Sequence, residues 1–174
     1  MKRVFFLFLF LIGLVFIVVL NAKAATTAAV TATVTAQSVS ITLTSDGAVA
    51  FLTIGTSATK DTTTAGVDDS ETAQNNGNVT EDISIKAANS TSSGAGWTLG
   101  GTAGSETYTM KSCIATCDTT PTWTAVGIDP SYVTLVAGVA ASGTQVFDLQ
   151  VGTPTSTTDY NQQTITVTLQ AAAS

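Results

Sequence analysis

Beyond residue 24 the apolar positions alternate with polar ones at a period of two, the signature of strands with one face on a core. The rhythm is clearest in residues 164–170, where Ile165, Val167 and Leu169 share one side and threonines and Gln170 take the other. Residues 38–44 repeat it with Val39, Ile41 and Leu43 inward, and residues 82–86 with Ile83 and Ile85 inward and Lys86 outward. In residues 145–151 the inward set is Phe147, Leu149 and Val151, leaving Asp148 and Gln150 for solvent. Weaker strand patterns run over residues 48–54, 97–99, 107–113, 122–126 and 132–136. Turn chemistry falls between them: Ser45-Asp46-Gly47, Asn75-Asn76-Gly77-Asn78 with positions tolerant of positive φ, the glycine-rich 92–96, Asp129-Pro130 and Ser142-Gly143. Residues 136–141 are Ala/Val-rich but too short for a stable helix, and Gly138 weakens them further. About eight or nine short strands spaced by turns predict an all-β, immunoglobulin-like β-sandwich.

The start of the chain has a different pattern. Met1-Lys2-Arg3 is basic, residues 4–20 are almost wholly apolar, and Ala22 and Ala24 form the small-x-small motif read by signal peptidase. This is the layout of a secretory signal peptide over residues 1–24, with Ala25 as the new N-terminus and the membrane touched only during export. An uncleaved anchor is the competing reading, since about 17 apolar residues approach the length that spans a bilayer. Residues 25–37 then read as an extended arm and residues 38–174 as the sandwich domain.

Setting the leader aside changes the charge. Residues 25–174 hold three lysines, no arginine and all twelve acids, a net charge of −9. Three lysines cannot neutralise a run of phosphates, which argues against nucleic acid as a partner. The chain has no histidine, which removes the usual general base, metal ligand and pH switch. No nucleophile–base set or phosphate-binding glycine loop is present, so the chain is expected not to be an enzyme and to need no cofactor. Threonine fills more than a fifth of those residues and suits the solvent face of sheets.

Three local features carry candidate chemistry. Cys113 and Cys117, an even pair in an exported chain, predict a disulfide closing a small loop. Two thiols without histidine do not complete a zinc site. Acids gather at Asp61, at Asp68-Asp69-Ser70-Glu71 and at Glu81-Asp82. They read as solvated loop charges, with Asp68, Asp69 and Glu71 as weak calcium candidates. Trp97 and Trp123 read as core plugs, with a sugar-stacking platform as the alternative.

The parity of the pattern shifts within the arm. Val30, Ala32, Val34 and Ala36 are even-numbered, whereas the apolar set from Val39 onward is odd. A one-residue slip sends side chains to the other face, so these stretches do not form one continuous strand on one core. A bulge or corner accounts for this, as does an N-terminal strand that belongs to another sheet or another subunit. Residues 25–36 contain no charge, proline or glycine, and such an arm is an aggregation hazard unless it is paired.

The stretch Gln74-Asn75-Asn76-Gly77-Asn78-Val79-Thr80-Glu81-Asp82-Ile83-Ser84-Ile85, followed by Gly96-Trp97-Thr98-Leu99, resembles a turn-and-strand pattern of exported bacterial immunoglobulin-like surface proteins. It is similar in outline to TasA/camelysin-type matrix filament subunits. Trp97-Thr98-Leu99 is also similar to the triplet of WxL cell-wall domains, although Trp123-Thr124-Ala125 lacks the leucine of a second triplet. The filament resemblance implies an N-terminal donor strand that completes the sandwich of the next subunit. Val30, Ala32 and Val34 would then enter the neighbour's core. The expectation is a structural subunit of an extracellular filament or cell-surface matrix, a head-to-tail homo-oligomer. The alternative is a monomeric adhesion or carbohydrate-binding module whose first strand folds back into its own sandwich.

Overall fold

The computed structural model describes residues 27–174. The predicted leader and its cleavage point before Ala25 lie outside the described residues. The compact unit is Ala36–Ser174. It is an all-β sandwich of eleven strands, more than the eight or nine that the pattern predicts.

In chain order the strands are β1 (Ile41–Leu43), β2 (Thr59–Asp61), β3 (Glu71–Asn75), β4 (Glu81–Ala87), β5 (Thr98–Leu99) and β6 (Thr107–Cys113). They continue with β7 (Thr124–Ala125), β8 (Gly127–Ile128), β9 (Val133–Val139), β10 (Thr144–Gly152) and β11 (Val167–Ala173). One sheet runs β1-β3-β10-β6-β5, with β2 beside the far half of β10 and β7 on β6. In the other sheet β4 is central: β11 pairs along its whole length, and β9 and then β8 share its opposite edge.

The core is built by the alternation read from the sequence. Ile83, Ile85 and Ala87 of β4 meet Tyr108 and Met110 of β6 and Phe147, Leu149 and Val151 of β10. Five of these eight are β-branched (Ile83, Ile85, Val151) or aromatic (Tyr108, Phe147), the types that pack well on a pleated surface. Strand β3 escapes hydrophobic patterning because its inward residues are Glu71, Ala73 and Asn75. The weak pattern over residues 48–54 forms no strand, although Phe51 and Ile54 still pack against the core. Val39 and Leu43, expected inward, are more than 40% exposed, because β1 is short and lies at a sheet edge with little beyond it.

Polar side chains do much of the internal fastening. Asn75, fully buried, donates from Nδ2 to the carbonyls of Val79 (2.8 Å) and Val139 (2.9 Å), while its Oδ1 accepts the Gly77 N–H (2.8 Å). The turn after it needs glycine for space rather than for positive φ. A Cβ on Gly77 would lie 2.3 Å from Glu81 Oε1 and 2.4 Å from the Ser38 carbonyl oxygen. Asp148, expected in solvent, is buried instead. The 62–70 segment folds over the outer face of β10, and the hydroxyls of Thr62 (2.8 Å) and Ser70 (2.7 Å) donate to its Oδ1 in place of water.

At another end of the sandwich Asp159 gathers donors from two loops. Ser92 Oγ, the Gly96 N–H (2.9 Å) and the backbone and side-chain N–H groups of Asn161 all donate to its carboxylate. These bonds, Ser92 first, hold its pKa below the usual carboxylate range. Glu106 is lowered by bonds from Thr157 and Thr158, and Asp82 by bonds from Ser174 and the Gly138 N–H.

Two outcomes follow from these networks. Asn75→Ala strips two carbonyls and one N–H of their partner in a buried setting and is expected to lower stability by about 3 kcal/mol or more, measured by denaturant unfolding. Unfolding releases Asp159, Glu106 and Asp82 from their donors and so takes up protons in acid. Their stabilisation is therefore complete at neutral pH and is lost as pH falls through the carboxylate range below about 4. Thermal melts are expected to be flat above about pH 5 and to drop below it, with a smaller drop in Asp159→Asn.

Candidate functional site

Two features are candidates for function: the stretch where the chain enters the sandwich and the edge strand β11. Residues 27–35 form no strand and every one is exposed, with Val30 at 93% and Val34 at 97%. Ala32, between them, is exposed as well.

The compact unit grips its own first residues through the 75–78 turn. Asn78 Nδ2 donates to the Ala36 carbonyl (2.7 Å), and its Oδ1 accepts the Ser38 N–H (2.8 Å). The backbone N–H of Asn78 reaches the Ser38 carbonyl (3.1 Å) and that of Asn76 reaches the Ser40 carbonyl (2.8 Å). Asn76 Nδ2 donates to Thr42 Oγ1 (2.7 Å), and the Ser40 N–H donates to Glu81 Oε1 (2.8 Å). Glu81 is fully buried at this point, and its Oε2 has no hydrogen-bond partner among the described residues. The Asn-Asn-Gly-Asn run, read from sequence as a turn, is therefore also a clamp on residues 36–42. The parity shift at 37–38 coincides with that clamp, and β1 begins only at Ile41.

Strand β11 is the second candidate feature. All seven of its residues pair with β4, from Val167 opposite Ala87 to Ala173 opposite Glu81. Among the described residues no backbone hydrogen bond reaches its other edge. Val167-Thr168-Leu169-Gln170-Ala171-Ala172-Ala173 carries no charge, proline or glycine, the devices that usually protect an open edge. The remaining edges are blunted. Strands β1 and β5 have three and two residues, and β9 pairs with β4 through register shifts and has Gly138 at φ +74°. The apolar residues of the β11 region, Ile165, Val167 and Leu169, pack against the core but are only half-covered.

The other sequence candidates fall elsewhere. Cys113 and Cys117 are joined, with Cα atoms 5.9 Å apart, and close the loop between β6 and residues 118–123. Trp97 packs against the core and donates its Nε1–H to Thr157 Oγ1 (3.0 Å) and the Asp159 carbonyl (3.2 Å). Lys86 points outward as read, with Nζ 2.5 Å from Asp129 Oδ1 and 4.6 Å from the Tyr132 ring centre. Asp129 beside it raises its pKa. The acidic stretch is not one solvated loop: Glu71 is buried with a carboxylate oxygen close to those of Asp69 and Asp46, whereas Asp68 is exposed and stands outside that group. Asp46 was missed because it lies on the turn after β1, far away in sequence. Only the pairing of β1 with β3 brings it near.

Compared with family models, with curated proteins and with solved structures, the chain matches none.

The disulfide closes so short a loop that it removes little entropy from the unfolded chain. The double variant Cys113→Ser/Cys117→Ser is expected to keep the fold and lose at most about 2 kcal/mol in urea unfolding.

Proposed function

We propose that the protein is an exported structural subunit that polymerises outside the cell, with the arm of one copy adding as a strand to the β11 edge of the next. The observation that carries this reading is the presence of two complementary unmet needs in one chain. The exposed, uncharged arm has Val30, Ala32 and Val34 on one side. The uncharged seven-residue edge has half-covered apolar side chains beside it.

The physics favours joining them. Strand addition satisfies backbone groups on both partners, and covering Val30 and Val34 contributes about 1.5–3 kcal/mol for each side chain fully buried. Neither surface carries a charge, so no ion is desolvated although the chain beyond the leader has a net charge of −9. The nine residues 27–35 are enough to run along seven residues of edge. Because donor and acceptor are different surfaces, the contact is head-to-tail and repeats as an open fibre. The clamp at residues 36–42 gives the arm a fixed root, which limits the ordering that assembly must impose. The resemblance to matrix filament subunits points the same way, and the reading assigns the chain a structural rather than a catalytic role.

The test compares the chain beginning at Ala25 with a variant lacking residues 25–35, by electron microscopy and sedimentation. The longer chain is expected to form filaments, and the shortened one to stay monomeric with an unchanged far-UV spectrum. Val30→Asp/Val34→Asp is expected to behave like the deletion. Filaments that persist without the arm overturn the reading. So does a full-length chain that stays monomeric at high concentration with its arm protected within the same molecule, the behaviour of a binding module.

A further inference from the structure

The turn after β1 and the start of β3 bring three acids together. Asp46, Asp69 and Glu71 each present a carboxylate oxygen, and all three oxygens lie within 4.8 Å of one another. Like charges this close repel, and the one ion pair among the described residues, Lys86–Asp129, involves none of them.

A second observation at the same place concerns Glu71 alone. Its side chain is buried, with 4% exposure, and its Oε1 has no hydrogen-bond partner among the described residues. Its other oxygen, Oε2, accepts from Ser45 Oγ. A buried carboxylate oxygen without a donor is costly, and a cation at the cluster removes both that cost and the mutual repulsion.

The acids are carried on fixed backbone. The Thr44 N–H donates to the Thr72 carbonyl (2.9 Å) and the Thr72 N–H to Ser45 Oγ (3.1 Å), which ties the turn to β3. The Asp69 N–H donates to the Thr62 carbonyl (2.9 Å), and Asp46 Oδ1 accepts the Ala48 N–H (3.1 Å).

The geometry points to a calcium site formed by Asp46, Asp69 and Glu71. All the donors are hard oxygens, with no nitrogen or sulfur to attract zinc or copper. They come from a turn and a strand start and include an exposed aspartate, so water can complete the six to eight ligands that calcium takes. Magnesium demands a near-ideal octahedron, which this irregular triad does not prearrange. Asp68, the remaining acid that the sequence offered, is not a ligand. The site includes no residue of β11 or of the arm, so it does not depend on polymerisation.

The test is calorimetric titration of calcium and of magnesium into the chelator-treated chain beginning at Ala25, with thermal melts at matched ionic strength. Calcium is expected to bind one equivalent with a Kd of about 0.1–1 mM, the range of extracellular calcium modules. It is expected to raise Tm by a few degrees at about ten times that concentration. Asp46→Asn and Asp69→Asn, at exposed and half-buried positions, are expected to keep the fold and weaken binding about tenfold or more. No heat and no Tm shift with calcium up to about 10 mM, well above that affinity range, overturns the site. An equal response to magnesium, or calcium binding that survives both substitutions, also overturns it. The same titration on Val30→Asp/Val34→Asp, which keeps all three ligands and is expected to stay monomeric, makes failure of the site distinguishable from failure to form filaments.

Discussion

A sheet must pair its backbone groups or leave them to water, and among the described residues the outer edge of β11 has no backbone partner. β11 is the last strand of its sheet, bonded to β4 along its whole length and to nothing on its other side among the described residues. Long, flat, apolar edges are rare in stable monomers because they template further strands. This edge carries no charge, proline or glycine, and its Val167 and Leu169 are only half-buried. The arm at the other end of the sequence is likewise exposed and uncharged, and the proposed assembly joins the two.

The rest of the sandwich keeps its polar groups paired with side chains. Threonine, serine and asparagine hydroxyl and amide groups take the place of water inside it: Thr62 on Asp148, Asn75 on three backbone groups, Ser92 on Asp159. This explains how a chain with few aromatic residues and a net charge of −9 beyond its leader still closes a well-defined core. It also places the two unpartnered carboxylate oxygens, on Glu71 and Glu81, at informative positions. One lies in the acidic triad beside the first turn, and the other beneath the clamp on the entering chain.

Much of this was legible in the sequence, for a physical reason. Strands whose inner face is aliphatic announce themselves by period two, as β4, β10 and β11 do, and the close cysteine pair implied its bridge. Strand β3 was invisible because its inward residues, Glu71, Ala73 and Asn75, are polar or small. The burial of Asp148 was invisible because it depends on a segment from far away in sequence folding over β10. The Asn-Asn-Gly-Asn run was readable as a turn but not as a clamp, since its partners at Ala36, Ser38, Ser40 and Thr42 are known only once β1 lies beside β3. The triad had the same difficulty: Asp69 and Glu71 could be picked out, and Asp46 could not.

The central claim is that residues 27–35 of one molecule pair with β11 of another. Amide hydrogen exchange followed over a range of protein concentrations tests it most directly. Strand addition in trans predicts that residues 27–35 and the outward-facing amides of 167–173 become protected together, and only as concentration rises. Fast exchange in both segments at every concentration, or protection that does not depend on concentration, would contradict it.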